Sequence, residues 1–228
     1  MTNVNDAWKS TCKVLLGDSV GDMQDYITYL SEYIEPTCES TSALSSKKIT
    51  VALPHYRKGA KFISNDEMGK YNEYLRKESL DINQIKDIDS LVDSIKEKFY
   101  YAGNQITGNS REVEDSDVCA NSQHIYKSTE IFDSKYIAFS SLCRYGEYVF
   151  GSNWIGESKF LIKCHSTYRQ IRCLETIKTM ISSDCYYTAN IEGCANCMFT
   201  FNQRNKRNLI GNLQLSQQDY LEKKTKAG

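Results

Sequence analysis

Asp133-Ser-Lys-Tyr-Ile137 and, 24 positions later, Glu157-Ser-Lys-Phe-Leu161 are one five-residue piece written twice. Midway between them stands Tyr145-Gly-Glu-Tyr-Val149, so the interval is 12. Ser122-Gln-His-Ile-Tyr126 precedes the series, and Ser110-Arg-Glu-Val113 is a weaker first member. Asp184-Cys-Tyr-Tyr-Thr188 and Asn196-Cys-Met-Phe-Thr200 continue it, again 12 apart. Between Phe160 and Tyr186 the interval is 26, which marks the copy near Arg172-Cys173-Leu174 as degenerate or displaced.

Each copy has a small polar residue, a short run rich in aromatic and β-branched residues, and another polar cluster: turn, strand, turn. A strand of about five residues cannot bury both faces alone, whereas copies stacked in parallel can. The repeat therefore predicts a β-solenoid. Two twelve-residue units would make one coil of about 24 residues with two strand sides. An antiparallel sandwich is the rival reading of short strands at this spacing, and the near-identical Ser-Lys-aromatic pieces favour stacking. The aliphatic-Gly hexapeptide of left-handed acyltransferase helices is missing, which sets that enzyme class aside. The same half holds seven of the nine cysteines: Cys119, Cys143, Cys164, Cys173, Cys185, Cys194 and Cys197. A narrow coil interior favours such small side chains.

From Tyr136 to Glu222 the repeats end in Cys194-Ala-Asn-Cys197-Met-Phe-Thr-Phe-Asn-Gln-Arg204-Asn-Lys206-Arg207, followed by Ile210-Gly-Asn212 and Ser216-Gln-Gln-Asp-Tyr220. This stretch resembles a family of uncharacterised cysteine-containing repeat proteins of prokaryotes and their viruses, sometimes labelled zinc-finger-like. In that family the repeats are likewise followed by an Asn-x-Arg-x-Lys segment, a short strand and a helix. The resemblance covers about the last 90 residues. It implies a repeat architecture and assigns no catalytic residue, and members carry denser Cys pairs than this chain.

The first half reads as a small α+β domain. Met23, Tyr26, Ile27, Leu30, Tyr33 and Ile34 recur at helical spacing until Pro36 stops them. Ser40 to Ser46 reads as a loop, Lys48 to Leu53 as a strand and Ala60 to Ser64 as another. Between Asn83 and Tyr101, Ile85, Ile88, Leu91, Val92, Ile95 and Phe99 mark one helical face, with Asp87, Asp89, Asp93, Lys96 and Lys98 opposite. Gly103 and Gly108 punctuate its end, placing the boundary near residue 108: an α+β domain over 1–108, then a β-solenoid with a short capping helix over 109–228. Trp8 and the stripe Tyr26, Tyr29, Tyr33 read as packing residues.

Composition limits the functions. With 28 basic and 29 acidic residues and a pI near 6.3, neither polyanion nor anionic membrane binding is favoured. No apolar run approaches the roughly 18 residues of a span, and the polar start lacks a signal peptide, so a soluble cytoplasmic protein is expected. Cys194-x-x-Cys197 is half of a zinc site that Cys185 would extend. On a continuous strand residues three apart point oppositely, so that pair requires a turn. Three histidines, His55, His124 and His165, are available to activate a thiol. Arg204, Lys206 and Arg207 form a basic cluster suited to phosphate or nucleic acid within a larger complex. The preferred expectation is a non-enzymatic interaction component binding a protein partner or a multisubunit or ribonucleoprotein assembly, without a cofactor. A thiol enzyme with its site between the halves and a zinc-stabilised nucleic-acid-associated module are the alternatives.

Overall fold

A computed structural model of the chain describes residues 2–53, 55–78, 83, 85–96 and 98–227. After the N-terminal helices and small sheets comes a β-solenoid of about nine turns, and then a short C-terminal helix. From β6 (Arg111–Glu114) through β7 (Asp117–Ala120), β8 (Gln123–Tyr126), β9 (Thr129–Phe132), β10 (Lys135–Ile177), β11 (Met180–Ala189) and β12 (Ala195–Met198) to β13 (Arg207–Ile210), every parallel pairing is offset by twelve residues. One coil is therefore 12 residues, half of the 24 expected from the repeat.

The physical reason is a three-residue step. From Glu112 to Gly211 every third residue has a left-handed backbone, with glycine at Gly151, Gly193 and Gly211. For residues with a Cβ this conformation costs about 1–2 kcal/mol each, and Asn or Asp, which tolerate it best, take it at Asp115, Asn121, Asp133, Asp184, Asn190, Asn196, Asn202, Asn205 and Asn208. Each such corner turns the chain enough for the next residue to point inward. From Ser116 to Thr200 every third residue is buried without exception. Four inward residues thus complete a coil.

The inward positions form four columns. Two are mainly apolar, as in Val113, Ile125, Ile137, Val149 and Leu161, and two are mainly Ser or Thr. In the first coils the hydroxyls fit because they satisfy buried backbone groups on two levels, whereas the Ser152, Ser158, Thr167 and Thr188 hydroxyls further along are buried without a partner. Ser122 Oγ donates to Ala120 O (2.8 Å) and accepts from Ser134 N–H (3.2 Å). Ser134 Oγ donates to Phe132 O (2.7 Å) and accepts from Gly146 N–H (3.0 Å). Ser116, Ser128 and Ser140 repeat the device on the other polar column. Gly146 interrupts its column because a Cβ there would collide with Cys143 Sγ.

This step also corrects the break placed near Arg172. Phe160, Arg172 and Asp184 occupy one left-handed column and Ile162, Leu174 and Tyr186 the buried column two residues on. The repeat is uninterrupted; the later aromatics sit one step around the coil, and a three-residue unit makes adjacent steps look alike.

At the N-terminal end, β1 (Cys38–Thr41) pairs antiparallel with β2 (Lys48–Val51), β3 (Lys61–Ser64), which α3 (Met68–Lys77) follows in sequence, pairs parallel with β4 (Tyr100–Gly103), and β5 (Ile106–Thr107) pairs parallel with β7. The expected loop from Ser40 thus begins inside a strand. Buried Asp117 joins this region to the coils by accepting from Ala52 N–H (2.9 Å) and Gln105 N–H (2.7 Å). At the other end β14 (Leu213–Gln214) folds back antiparallel on β13, and α5 (Gln217–Ala227) follows.

Helix α1 (Thr2–Leu16) lies along one side of the solenoid. Its Val4, Ala7, Trp8, Cys12 and Leu15 join Tyr126, Ala138, Phe150, Ile162, Leu174, Tyr186 and Met198 in one apolar cluster. Trp8 meets Phe150 edge-on at 5.5 Å and donates Nε1–H to Gly21 O (3.1 Å). The segment expected as one helix from Asp22 is a 3-10 turn (Met23–Tyr26) followed by the single turn α2 (Ile27–Leu30). Gly151 lets this segment pass close: a Cβ there would meet the Leu30 carbonyl oxygen. Lys163 then clamps it, 4.1 Å from the Tyr29 ring centroid and paired with Glu32 and Glu175. Burial pulls the Lys163 ammonium down, but the Glu32 and Glu175 carboxylates leave it above its ordinary value. Tyr220 of α5 enters the same apolar side.

Candidate functional site

N-terminal residues cover the column Gly151, Lys163, Glu175. Half a coil away, six residues on, runs the column Tyr145, Glu157, Arg169, Ile181, on the opposite side of the solenoid. Its neighbours there include Trp154, Tyr168, Ile171 and Met180. Tyr145 is 62% exposed, Ile181 55% and Trp154 52%, although the covered side buries residues of the same kinds.

A groove of about 420 Å³ crosses this side, lined by Tyr145, Glu147, Glu157, Ser158, Lys159, Arg169, Gln170 and Ile171. Charges line up because residues one coil apart stand directly above one another. Glu157 receives both Arg169 Nε (2.8 Å) and Nη2 (3.4 Å), and Lys159 lies 3.5 Å from Glu147. These pairs are about half exposed and hold the surface flat rather than supplying much stability. Next to Glu157, Gly156 stands under Tyr168 of the following coil, whose ring lies 3.5 Å from where a Cβ would stand. Ion pairs, exposed Tyr145 and aliphatic Ile171 make up this lining, which contains neither a cysteine nor a histidine.

The left-handed corner at Asn196 makes the turn that the Cys194–Cys197 pair requires, and both side chains point inward with Cys185 stacked in register under Cys197. Each thiol takes over the serine device, donating to the carbonyl two residues before it: Cys185 to Ser183 (3.2 Å), Cys194 to Glu192 (3.3 Å), Cys197 to Ala195 (3.5 Å). Among the described residues, no group of three or more His, Cys, Asp or Glu side chains is placed to hold a metal ion. All seven cysteines of this half occupy inward steps, which accounts for their uneven distribution. Burial raises Cys143 to about 11 and Cys119 to about 12, and contact with the Cys173 and Cys197 thiols pushes Cys185 far up. Such thiols stay protonated near neutrality. In the native protein a thiol reagent is therefore expected to modify half-buried Cys38 quickly and the eight buried cysteines only on unfolding, a difference that mass spectrometry of the alkylated chain reads directly.

The histidines do not meet these thiols. Cys164 points inward while His165 points out, 5.5 Å from the Tyr33 ring. His124 stacks on Tyr136 at 4.5 Å and pairs with Glu112 (2.8 Å), and His55 is exposed. The basic cluster is dispersed by the three-residue step. Arg204 turns back to Glu192 (3.1 Å) and the Asn190 carbonyl (2.8 Å), Lys206 is exposed in the last coil, where the run of buried inward residues has ended, and Arg207 lies in β13 against Ala195. Among the described residues no helix is long and apolar enough to cross a membrane.

No protein-family model and no curated protein matches this chain. The groove side escaped sequence reading because its residues, Tyr145, Glu157, Arg169 and Ile181, share no residue type. Only the twelve-residue register, once known, places them in one column.

Proposed function

We propose that this chain is a non-enzymatic scaffold that presents the uncovered side of its solenoid to a protein partner within a larger assembly. The observation that carries this reading is the one-sidedness of the coil. α1 and the segment after it bury one face, while the uncovered surface leaves Trp154, Tyr168, Met180 and Ile181 in solvent and carries a groove that Tyr145, Ile171 and the ion pairs line. Aromatic residues, Met and Arg are the types enriched where protein interfaces bury most. Closely spaced charges of both signs suit a protein surface better than a polyanion. The resemblance to cysteine-containing repeat proteins agrees with a repeat-built scaffold.

The test is recovery of tagged full-length protein from its native cells after nuclease treatment, with partners identified by mass spectrometry. The reading expects a stoichiometric, nuclease-resistant protein partner that is lost with the double variant Tyr145→Ser/Ile181→Glu. A control change at exposed Val14 on α1, Val14→Glu, should leave recovery intact. Recovery of the wild-type chain alone, or of a partner that disappears on nuclease treatment, would overturn it.

A further inference from the structure

Helix α4 (Ile88–Lys96) has the strongest apolar stripe of the chain, yet none of its residues is buried. Its start is well specified: Ser90 N–H donates to Asp87 Oδ1 (2.8 Å), and Ser90 Oγ accepts from Asp87 N–H (3.0 Å). Ile88 is 76% exposed, Val92 52%, Ile95 39%, and Phe99 just beyond the helix 52%. Their spacing of four, three and four is that of the a and d positions of a coiled coil. The stripe runs into an apolar groove of about 440 Å³ between Leu75, Ile95, Phe99 and Tyr100. A seam of this kind loses the free energy of burial for as long as it faces water.

We propose that α4 is a self-association surface, pairing antiparallel with α4 of a second copy of this chain. The charges select that occupant and that direction. Asp89 and Lys96 are seven residues apart, so they flank the stripe on the same edge at opposite ends of the helix. A two-fold axis through the middle of the helix sets Asp89 of each copy against Lys96 of the other. The same operation sets Val92 against Ile95 and Ile88 against Phe99, so every apolar residue of one stripe meets one of the other. A parallel pair would instead set Lys96 beside Leu91 of the other copy and form neither of these ion pairs. Lys96 now pairs with Asp93 at 2.7 Å, both exposed to solvent, and exchanging that contact for one across the axis costs little.

Sedimentation velocity of the full chain from low micromolar to hundreds of micromolar tests this. The expected result is a concentration-dependent dimer that Val92→Glu/Ile95→Glu abolishes. Asp89→Lys should raise the dimer Kd about tenfold, and Asp89→Lys/Lys96→Asp should restore it to within about threefold. These positions are exposed, and circular dichroism of each variant confirms folding. A monomer at every concentration, a dimer indifferent to Val92→Glu/Ile95→Glu, or a charge swap that does not rescue would each overturn the proposal.

Discussion

Replacing Phe150 by alanine is expected to cost about 3–5 kcal/mol. The ring is fully buried, and it is the point where the solenoid meets Trp8 of α1 edge-on at 5.5 Å. Around it lie Leu30, Ala138, Phe139 and Ile162, which come from parts of the chain more than a hundred residues apart, so the cavity cannot close without moving α1. For a chain of this length the loss corresponds to a fall in Tm of about 10 °C. The solenoid's own hydrogen bonds are untouched, so its far-ultraviolet circular dichroism should persist at temperatures where Trp8 fluorescence already reports a wet indole. Simultaneous loss of both signals at the wild-type Tm would show that Phe150 does not carry the docking.

The second large effect separates the twelve-residue coil from any longer one. Excising Lys178–Ala189 removes one coil: Asn190 then follows Ile177 as Lys178 did, and every inward column continues in register. The shortened chain should still unfold cooperatively, at lower stability, as repeat arrays do when one unit is lost. Deleting the single residue Thr179 should be far worse. Each later residue then moves one place, turning Tyr186, Glu192 and Arg204 toward the core and Cys185, Ile191 and Leu209 toward water. Burying unpaired charge and exposing the core together exceed what a domain of ordinary stability tolerates. Thermal denaturation of the two deletions provides the comparison. If one coil held 24 residues, removing twelve would be as destructive as removing one.

The solenoid was legible because Asp133-Ser-Lys-Tyr-Ile137 and Glu157-Ser-Lys-Phe-Leu161 stand in equivalent places two coils apart. Its period was not, because strand reasoning assumes alternation of faces, whereas left-handed corners replace that alternation by a step of three. A signal was available in the run Ser116, Cys119, Ser122, Ile125, Ser128, Ile131, Ser134, Ile137, Ser140, small or aliphatic at every third position. Trp8 and Tyr26 were legible as packing residues, and they touch each other at 5.3 Å. That α1 would lie on the solenoid was hidden, since its partners Tyr126, Ala138, Phe150 and Ile162 share no residue type. Helix α4 shows the converse: a clear periodic stripe locates the helix but not what covers it.

The solenoid is covered on one side and open elsewhere, and the chain's two tryptophans differ in that cover. Trp8, on the face of α1 that packs against the solenoid, is 2% exposed, and Trp154, away from that contact, is 52% exposed. Brief hydroxyl-radical labelling of the native full-length protein, read peptide by peptide, measures both in one sample. The predicted result is rapid oxidation of Trp154 and Tyr145 with protection of Trp8, Phe139 and Phe150. Oxidation of Trp8 as fast as Trp154 would contradict it, because α1 would then be off the solenoid and no face would be singled out for a partner.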